Sequence, residues 1–271
     1  MANDHFSLEG RVALVTGGSG AIGSALAEGL AHAGARVAVL ARTVERVDET
    51  VRRLGESGLE ALGIGADVLD AVALEAARDT IVERFGSIDI LVNCAGGNVA
   101  AATVPPEMSP FDVPLEAYRD VVDLNLLGTL LPIRVFGAAM RPSVGCSIVN
   151  VSSMAAASAI TRVGGYGAAK AAVESITRWF AVELARRGMD IRVNAIAPGF
   201  VVGDQNRRLL ISDDGDLTPR GQTIIEQTPL GRFGEPEELV STVVWLASDG
   251  ARFVTGVVVP VDGGFSAYAG V

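Results

Sequence analysis

Histidine is almost missing from this sequence: His5 and His32 are the two in 271 residues, and neither has cysteine or aspartate neighbours at ligand spacing. No metal site is expected. Cysteine is as scarce, with Cys94 and Cys146 both in apolar, strand-like surroundings. That excludes a disulfide framework and points to a reduced, cytoplasmic protein. Basic residues are outnumbered, giving a net charge of −10 and a pI near 4.7. A nucleic-acid surface would need a basic patch. The pairs Arg52–Arg53, Arg186–Arg187 and Arg207–Arg208 lie in helical patterns, the first two reading as solvated faces. No apolar run approaches the roughly 18 residues of a membrane-spanning helix. The stretch "MANDHFSLEGRVALVTGG" lacks the basic and apolar regions of a secretory leader, so neither membrane nor export is expected.

What is present is rhythm. Short apolar runs ("RVALVTG", "RVAVLA", "ALGIGADV", "IDILVNCAG", "CSIVNVSS", "IRVNAIAPG", "VTGVVVPVDGG") alternate with longer helical patterns. Among these, Leu115–Met140 is expected as one long helix. Near-continuous apolar strands joined by helices predict α/β architecture: a doubly wound parallel sheet of Rossmann type, in three α/β/α layers. No repeat, low-complexity tract or linker interrupts the sequence, so residues 1–271 are expected to form one domain. Two irregular insertions break the rhythm. One is Gly97–Pro114, with four prolines, and the other is Gly199–Gly221. Both follow strand C-termini, where open α/β sheets bind ligands.

The first such turn, "VTGGSGAIGSAL", sets Gly18, Gly20 and Gly23 in G-x-G-x-x-G spacing between a strand and a helix. Glycines there let backbone amides approach a pyrophosphate at the helix N-terminus. A dinucleotide site built from Gly17, Ser19, Gly20, Ala21, Ile22 and Gly23 is expected. An acid at the tip of the second strand would select NAD by binding the ribose 2′-hydroxyl. Here the tip reads Leu40-Ala41-Arg42, so NADP is favoured and NAD stays open.

In "YGAAK", Tyr166 and Lys170 are four apart and share a helix face. A tyrosine hydroxyl ordinarily titrates near 10. An adjacent ammonium favours the phenolate, so Lys170 is expected to lower the Tyr166 pKa and fit it for acid–base work on an alcohol or carbonyl oxygen.

Taken together, these segments resemble the short-chain dehydrogenase/reductase family along nearly the whole sequence. "TGGSGAIG" (with Ala21 at a frequent glycine position), "ADV" at Ala66–Val68, "NCAG" at Asn93–Gly96, "LNLLG", "SIVNVSS", "YGAAK" and "IRVNAIAPG" carry the resemblance. It implies that Ser153 orients the substrate oxygen, Tyr166 transfers the proton, and Lys170 binds the nicotinamide ribose. Asn125 would hold a water linking Lys170 to solvent through a helix carbonyl. The resemblance also assigns Asp67 and Val68 to the adenine, and Asn93, Ala95, Gly96, Pro198, Gly199 and Val201 to the cofactor. Ser152 is the rival for the serine role, though the spacing favours Ser153. One departure is Gly203, where the family often has a hydroxyl; amides near Val201 and Val202 would serve instead.

Further stretches, among them "NCAGGN", "QNRRLL", "DGDLTPRG" and "FVTGVVVPVDGGFSAY", resemble a narrower branch of that family, the D-mannonate oxidoreductases (fructuronate reductases). The substrate expected on that basis is a sugar acid, met by Asn98, Ser153, Arg162, Tyr166, Gln205 and Asn206. A reductase of 3-oxoacyl thioesters or general carbonyls, and a non-catalytic dinucleotide-binding regulator, are the alternatives. Apolar residues on more than one helix face, including Val121, Leu124, Trp179 and Phe180, together with the family resemblance, suggest a homotetramer.

Overall fold

Five consecutive residues of β1, Val12–Thr16, are buried, and alternate ones serve opposite faces. Ala13 and Val15 join one core while Val12 and Leu14 join the other. A strand whose two faces are both covered is built almost wholly from apolar side chains. The computed structural model describes residues 5–140, 145–203 and 206–270. The elements that follow β1 are α1 (Ala21–His32), β2 (Arg36–Ala41), α2 (Val44–Glu56), β3 (Ala61–Gly65), α3 (Ala71–Phe85) and β4 (Ile90–Asn93). Then come α4 (Leu115–Val122), α5 (Gly128–Gly137), β5 (Cys146–Val151), α6 (Gly164–Arg186) and β6 (Ile191–Pro198). The last are α7 (Arg207–Leu210), α8 (Pro219–Glu226), α9 (Val240–Ala247) and β7 (Val258–Val261).

The seven strands form one sheet in the order β3-β2-β1-β4-β5-β6-β7, every pairing parallel. Helices α1, α2 and α9 pack on one face through Leu26, Leu30, Leu54 and Val243. On the other, α3, α5 and α6 supply Ile81, Phe136 and Ala181. Burying each such leucine or phenylalanine contributes about 1.5–3 kcal/mol. This is the doubly wound, three-layer architecture read from the alternation of apolar runs. Successive connections run to opposite sides of β1, so β1 and β4 splay at their C-terminal ends and leave a crevice. No described helix is long and apolar enough to cross a membrane.

Local signals set the helix ends. The Asp70 carboxylate caps α3 by accepting from the Val72 and Ala73 amides, and Gly86 ends it in the left-handed region at φ 84°. The long helix expected over Leu115–Met140 is broken instead. A π-helical turn, Asp123–Leu127, separates α4 from α5, and α5 stops at Gly137. At the break the Asn125 amide bonds outward to Gly97 as well as along the helix to Val121, and Pro132 within α5 has no amide to continue the ladder. The third strand also ends earlier than its apolar run, at Gly65, releasing Asp67 and Val68 into a turn in which Asp67 Oδ1 accepts from the Leu69 amide.

Candidate active site

At the crevice, Gly17 adopts φ 65°, and a Cβ there would stand 2.8 Å from the Ala95 backbone. At Gly23 a Cβ would meet the Gly17 carbonyl oxygen at 2.2 Å. Neither position tolerates a side chain, so the turn lies flat against the β4 loop. Gly20 caps α1 without any side-chain hydrogen bond, and the first turn of α1 carries no acid. Its amides therefore face the cleft free of a competing carboxylate, which suits a phosphate.

The cleft itself has a volume of about 410 Å³. Ser19, Ala21, Ile22 and the motif residues Gly17, Gly20 and Gly23 form its floor, and Arg42, Asp67 and Val68 close one end. Ala95, Gly96, Ser153, Tyr166 and Lys170 close the other, with Pro198, Gly199, Val201 and Asn206 along the side. Close packing makes glycine obligatory at Gly199, where a Cβ would meet Asp262 Cα at 2.6 Å. A long slot with backbone donors in the middle, cations at one tip and a phenol at the other fits a nicotinamide dinucleotide. Arg46, on the first turn of α2, also lines the tip and was missed in the sequence; it stands four residues beyond Arg42. Arg42 Nη1 lies 4.0 Å from Asp67 Oδ2.

At the reactive end, Ser153 follows β5 and accepts from the Ala155 amide at 3.2 Å while hydrogen-bonding the Tyr166 side chain. Lys170 Nζ donates to the Val151 carbonyl at 2.7 Å and lies 5.7 Å from the Tyr166 ring centroid. The expected lowering of the Tyr166 pKa is overturned. Loss of water around the hydroxyl pushes it above the ordinary tyrosine value, the Ser153 hydrogen bond pulls it partly back, and nearby Cys94 adds to the rise. Lys170 Nζ stands over the ring. Its own burial pushes its pKa down to about 8. Cys94 is pushed up to about 11 by burial, against a smaller opposing pull from Lys170. It remains a thiol at neutral pH, and neither cysteine is in a disulfide.

Asn125 is fully buried and latches two segments. Its Oδ1 accepts from the Gly97 amide at 3.0 Å, and its Nδ2 donates to the Gly97 and Val121 carbonyls at 2.7 and 2.8 Å. The Asn125 carbonyl accepts from Thr129 Oγ1 at 2.8 Å and keeps a second lone pair. Gly96 fits under this latch only because it lacks a Cβ, which would stand 2.7 Å from Asn125 Oδ1 and 3.1 Å from Lys170 Nζ. Ser152 is excluded as the reactive serine. Its hydroxyl turns into α6, towards the Lys170 carbonyl and Glu174 Oε1.

Several expected residues stand elsewhere or are already engaged. Asn93 lies beneath the cleft, donating to Asn150 Oδ1 at 2.9 Å. Asn98 braces its own loop by donating to Thr103 Oγ1 at 2.7 Å. Asn206 commits both ends of its amide to the 201–203 turn: Nδ2 donates to the Val201 carbonyl and Oδ1 accepts from the Gly203 amide. Arg207 and Arg208 are both exposed, and neither is among the residues that line the cleft. Gln205 lies outside the described residues. Arg162 stands just before α6, beyond the cleft wall, with φ 74°. Val121 is fully buried in a small cluster under the proline-rich loop, while Trp179 is 58% exposed, its ring edge-on to Phe180 at 4.9 Å.

Comparison with known proteins adds four likenesses. A family profile described as enoyl-(acyl carrier protein) reductase matches residues 17–266. An oxidoreductase of Bacillus subtilis (strain 168) is 44% identical over 276 residues, spanning 98% of this chain and 99% of that one. A Haemophilus influenza protein, provisionally a D-mannonate oxidoreductase and solved with bound NAD, superposes with TM-score 0.92 at 40% identity over 98% of both chains. A gluconate 5-dehydrogenase of Burkholderia cenocepacia J2315, solved with NADP and tartrate, gives TM-score 0.87 at 32% identity over 99% of this chain and 100% of that one.

Proposed function

This chain belongs to the short-chain dehydrogenase/reductase family and is an NAD(P)-dependent oxidoreductase acting on CH–OH groups, and we propose that its substrate is a sugar acid of the D-mannonate/D-fructuronate type. One observation carries the chemistry: Ser153, Tyr166 and Lys170 meet at one end of the dinucleotide cleft. When bound, the nicotinamide supplies the hydride donor or acceptor. The protein's own residues handle the proton. Tyr166 Oη is held as a neutral phenol by its surroundings, so it is poised to donate a proton to a ketone oxygen, and the reverse step returns a proton from the alcohol. Ser153 donates to the same oxygen and fixes its position. Lys170, largely cationic below its pKa of about 8, is anchored at Val151 and would hold the nicotinamide ribose with its remaining N–H bonds. Asn125 positions this group by tying the Gly97 loop to the π-helical turn.

Arg42 and Arg46 at the adenosine end, with no acid at the β2 tip, support NADP over NAD. The relatives given as acting on mannonate and gluconate support the sugar-acid reading. A net charge of −10 speaks against an acidic carrier protein as partner, and so against a 3-oxoacyl-thioester reductase. We take residues 1–271 as one cytoplasmic domain. It would assemble as a homotetramer through faces such as exposed Trp179 and Val182 on α6. The test is oxidation of NADPH and NADH with D-fructuronate, set beside a 3-oxoacyl thioester and uncharged ketones. Preferred turnover of the thioester would defeat the sugar-acid reading, and no turnover of any would favour a binding protein.

A further inference from the structure

Two segments that line the reactive end of the cleft, the loop after β4 at Gly97 and the segment after β5 at Ser153, run on to meet α8 at two residues. From the loop after β4, the Val104 amide donates to the Arg162 carbonyl at 2.9 Å. From α8, Arg220 Nη1 donates to Thr161 Oγ1 at 3.0 Å and Nη2 to the Thr161 carbonyl at 3.2 Å. Thr161 and Arg162 themselves end the segment between Ser153 and the start of α6. The result is that Arg220 is clamped to the residue preceding Arg162, near enough for the two positive charges to act on each other.

Like charges are not normally left together in this way. The sequence carries ten more negative than positive charges, and elsewhere its arginines pair readily, as Arg232 does with Glu238 and Arg187 with Glu183. Yet among the described residues neither Arg162 nor Arg220 has a carboxylate partner. Partial burial and their mutual repulsion both act to lower the Arg220 pKa, with no acid offsetting them. Arg162 is also the one non-glycine among the described residues with left-handed φ, a conformation that asparagine or glycine would adopt at lower cost. Arginine stands there although the backbone disfavours it.

We infer that Arg162 and Arg220 together form a carboxylate clamp beyond the cleft wall, which takes the acid group of the substrate while its carbonyl lies at Ser153 and Tyr166. This rests on the sugar-acid reading above and goes further by assigning the residues that recognise the acid. Two planar guanidiniums offer paired N–H donors suited to a carboxylate, and an anion between them removes the repulsion that the pair otherwise suffers.

The probe is sodium tartrate, titrated calorimetrically into the whole protein with NADP present, with erythritol as the uncharged control. The wild type is expected to bind tartrate at least tenfold more tightly than R220Q or R162G, and erythritol equally in all three. R162G removes the charge while easing the backbone. If R220Q melts early, R220K keeps a charge on the same stem and should retain most of the tartrate affinity. Equal tartrate affinity in folded wild type and charge-deleted variants, or no tartrate binding by the wild type, would overturn the clamp. Failure of D-fructuronate to be reduced, with tartrate discrimination intact, would sink the substrate reading and leave the clamp standing.

Discussion

Lys170 is held to the Val151 carbonyl at 2.7 Å, at the place where β5 ends and the reactive loop begins. A buried ammonium so tied is a strained choice for stability. Folding lowers its pKa to about 8 from the ordinary 10.5, so between those values the unfolded protein binds more protons. Stability should therefore rise with pH across that window, by of order 1 kcal/mol per unit. Between pH 8 and 9 the lysine acts before Cys94 and Tyr166, whose raised values oppose it at higher pH. Denaturant titrations should show this rise in the wild type and none in K170M, which should be at least as stable at pH 7. A rise that survives in K170M would refute the assignment.

Replacing Tyr166 with phenylalanine keeps the ring and removes the acid. Turnover should fall by roughly 10²–10⁴-fold. The melting temperature should stay close to the wild-type value, since the deleted hydroxyl is desolvated rather than well hydrated.

For Asn125, the sharpest probe is Asn125→Asp. A carboxylate can still accept from the Gly97 amide, but it cannot donate to the Gly97 and Val121 carbonyls. Each orphaned group costs about 1–3 kcal/mol. Chemical denaturation should reveal a loss in that range or above, and kcat should drop through displacement of the Gly97 loop.

Gly165 is set against the Tyr118 ring, where a Cβ would stand 2.7 Å from Cδ1. Gly165→Ala should cost about 1–3 kcal/mol by overpacking. Trimming the ring in a G165A/Y118L double variant should restore part of it. Simple additivity of the two losses would show that the contact is not the cause.

At the adenosine end, Arg42→Ala should raise KM for NADPH about tenfold and leave KM for NADH within about threefold, because a guanidinium–phosphate pair is lost and no ribose hydroxyl contact is. Equal effects on both cofactors would mean that Arg42 does not read the 2′-phosphate.

Much of this was legible beforehand because it is written in spacing. The strands announced themselves as apolar runs, and the dinucleotide turn as glycines at positions where a Cβ would strike backbone. The four-residue interval from Tyr166 to Lys170 did place both on the cleft wall. Features set by long-range contact were not legible. The π-helical turn carries Asn125, which bonds to a loop 28 residues earlier, a contact with no periodic signature. The direction of the Tyr166 shift depended on how much water the surrounding loops exclude, and charge alone suggested the opposite. Asn206 looks like a ligand in a sequence, yet both ends of its amide are committed to its own loop, and Asn98 gives its donor to Thr103 while its Oδ1 stays buried without a partner. Arg220 gave no sign of its contact with Thr161, because the two lie 59 residues apart.

The meeting of two loops and α8 at Thr161 and Arg162 would, with the clamp proposed above, separate two tasks within one protein. Proton and hydride chemistry would rest on sheet ends and α6, whereas discrimination among acids would rest on connections that the sheet does not constrain. New specificities could then be grafted by exchanging those connections as a matched set, with the reaction centre inherited unchanged.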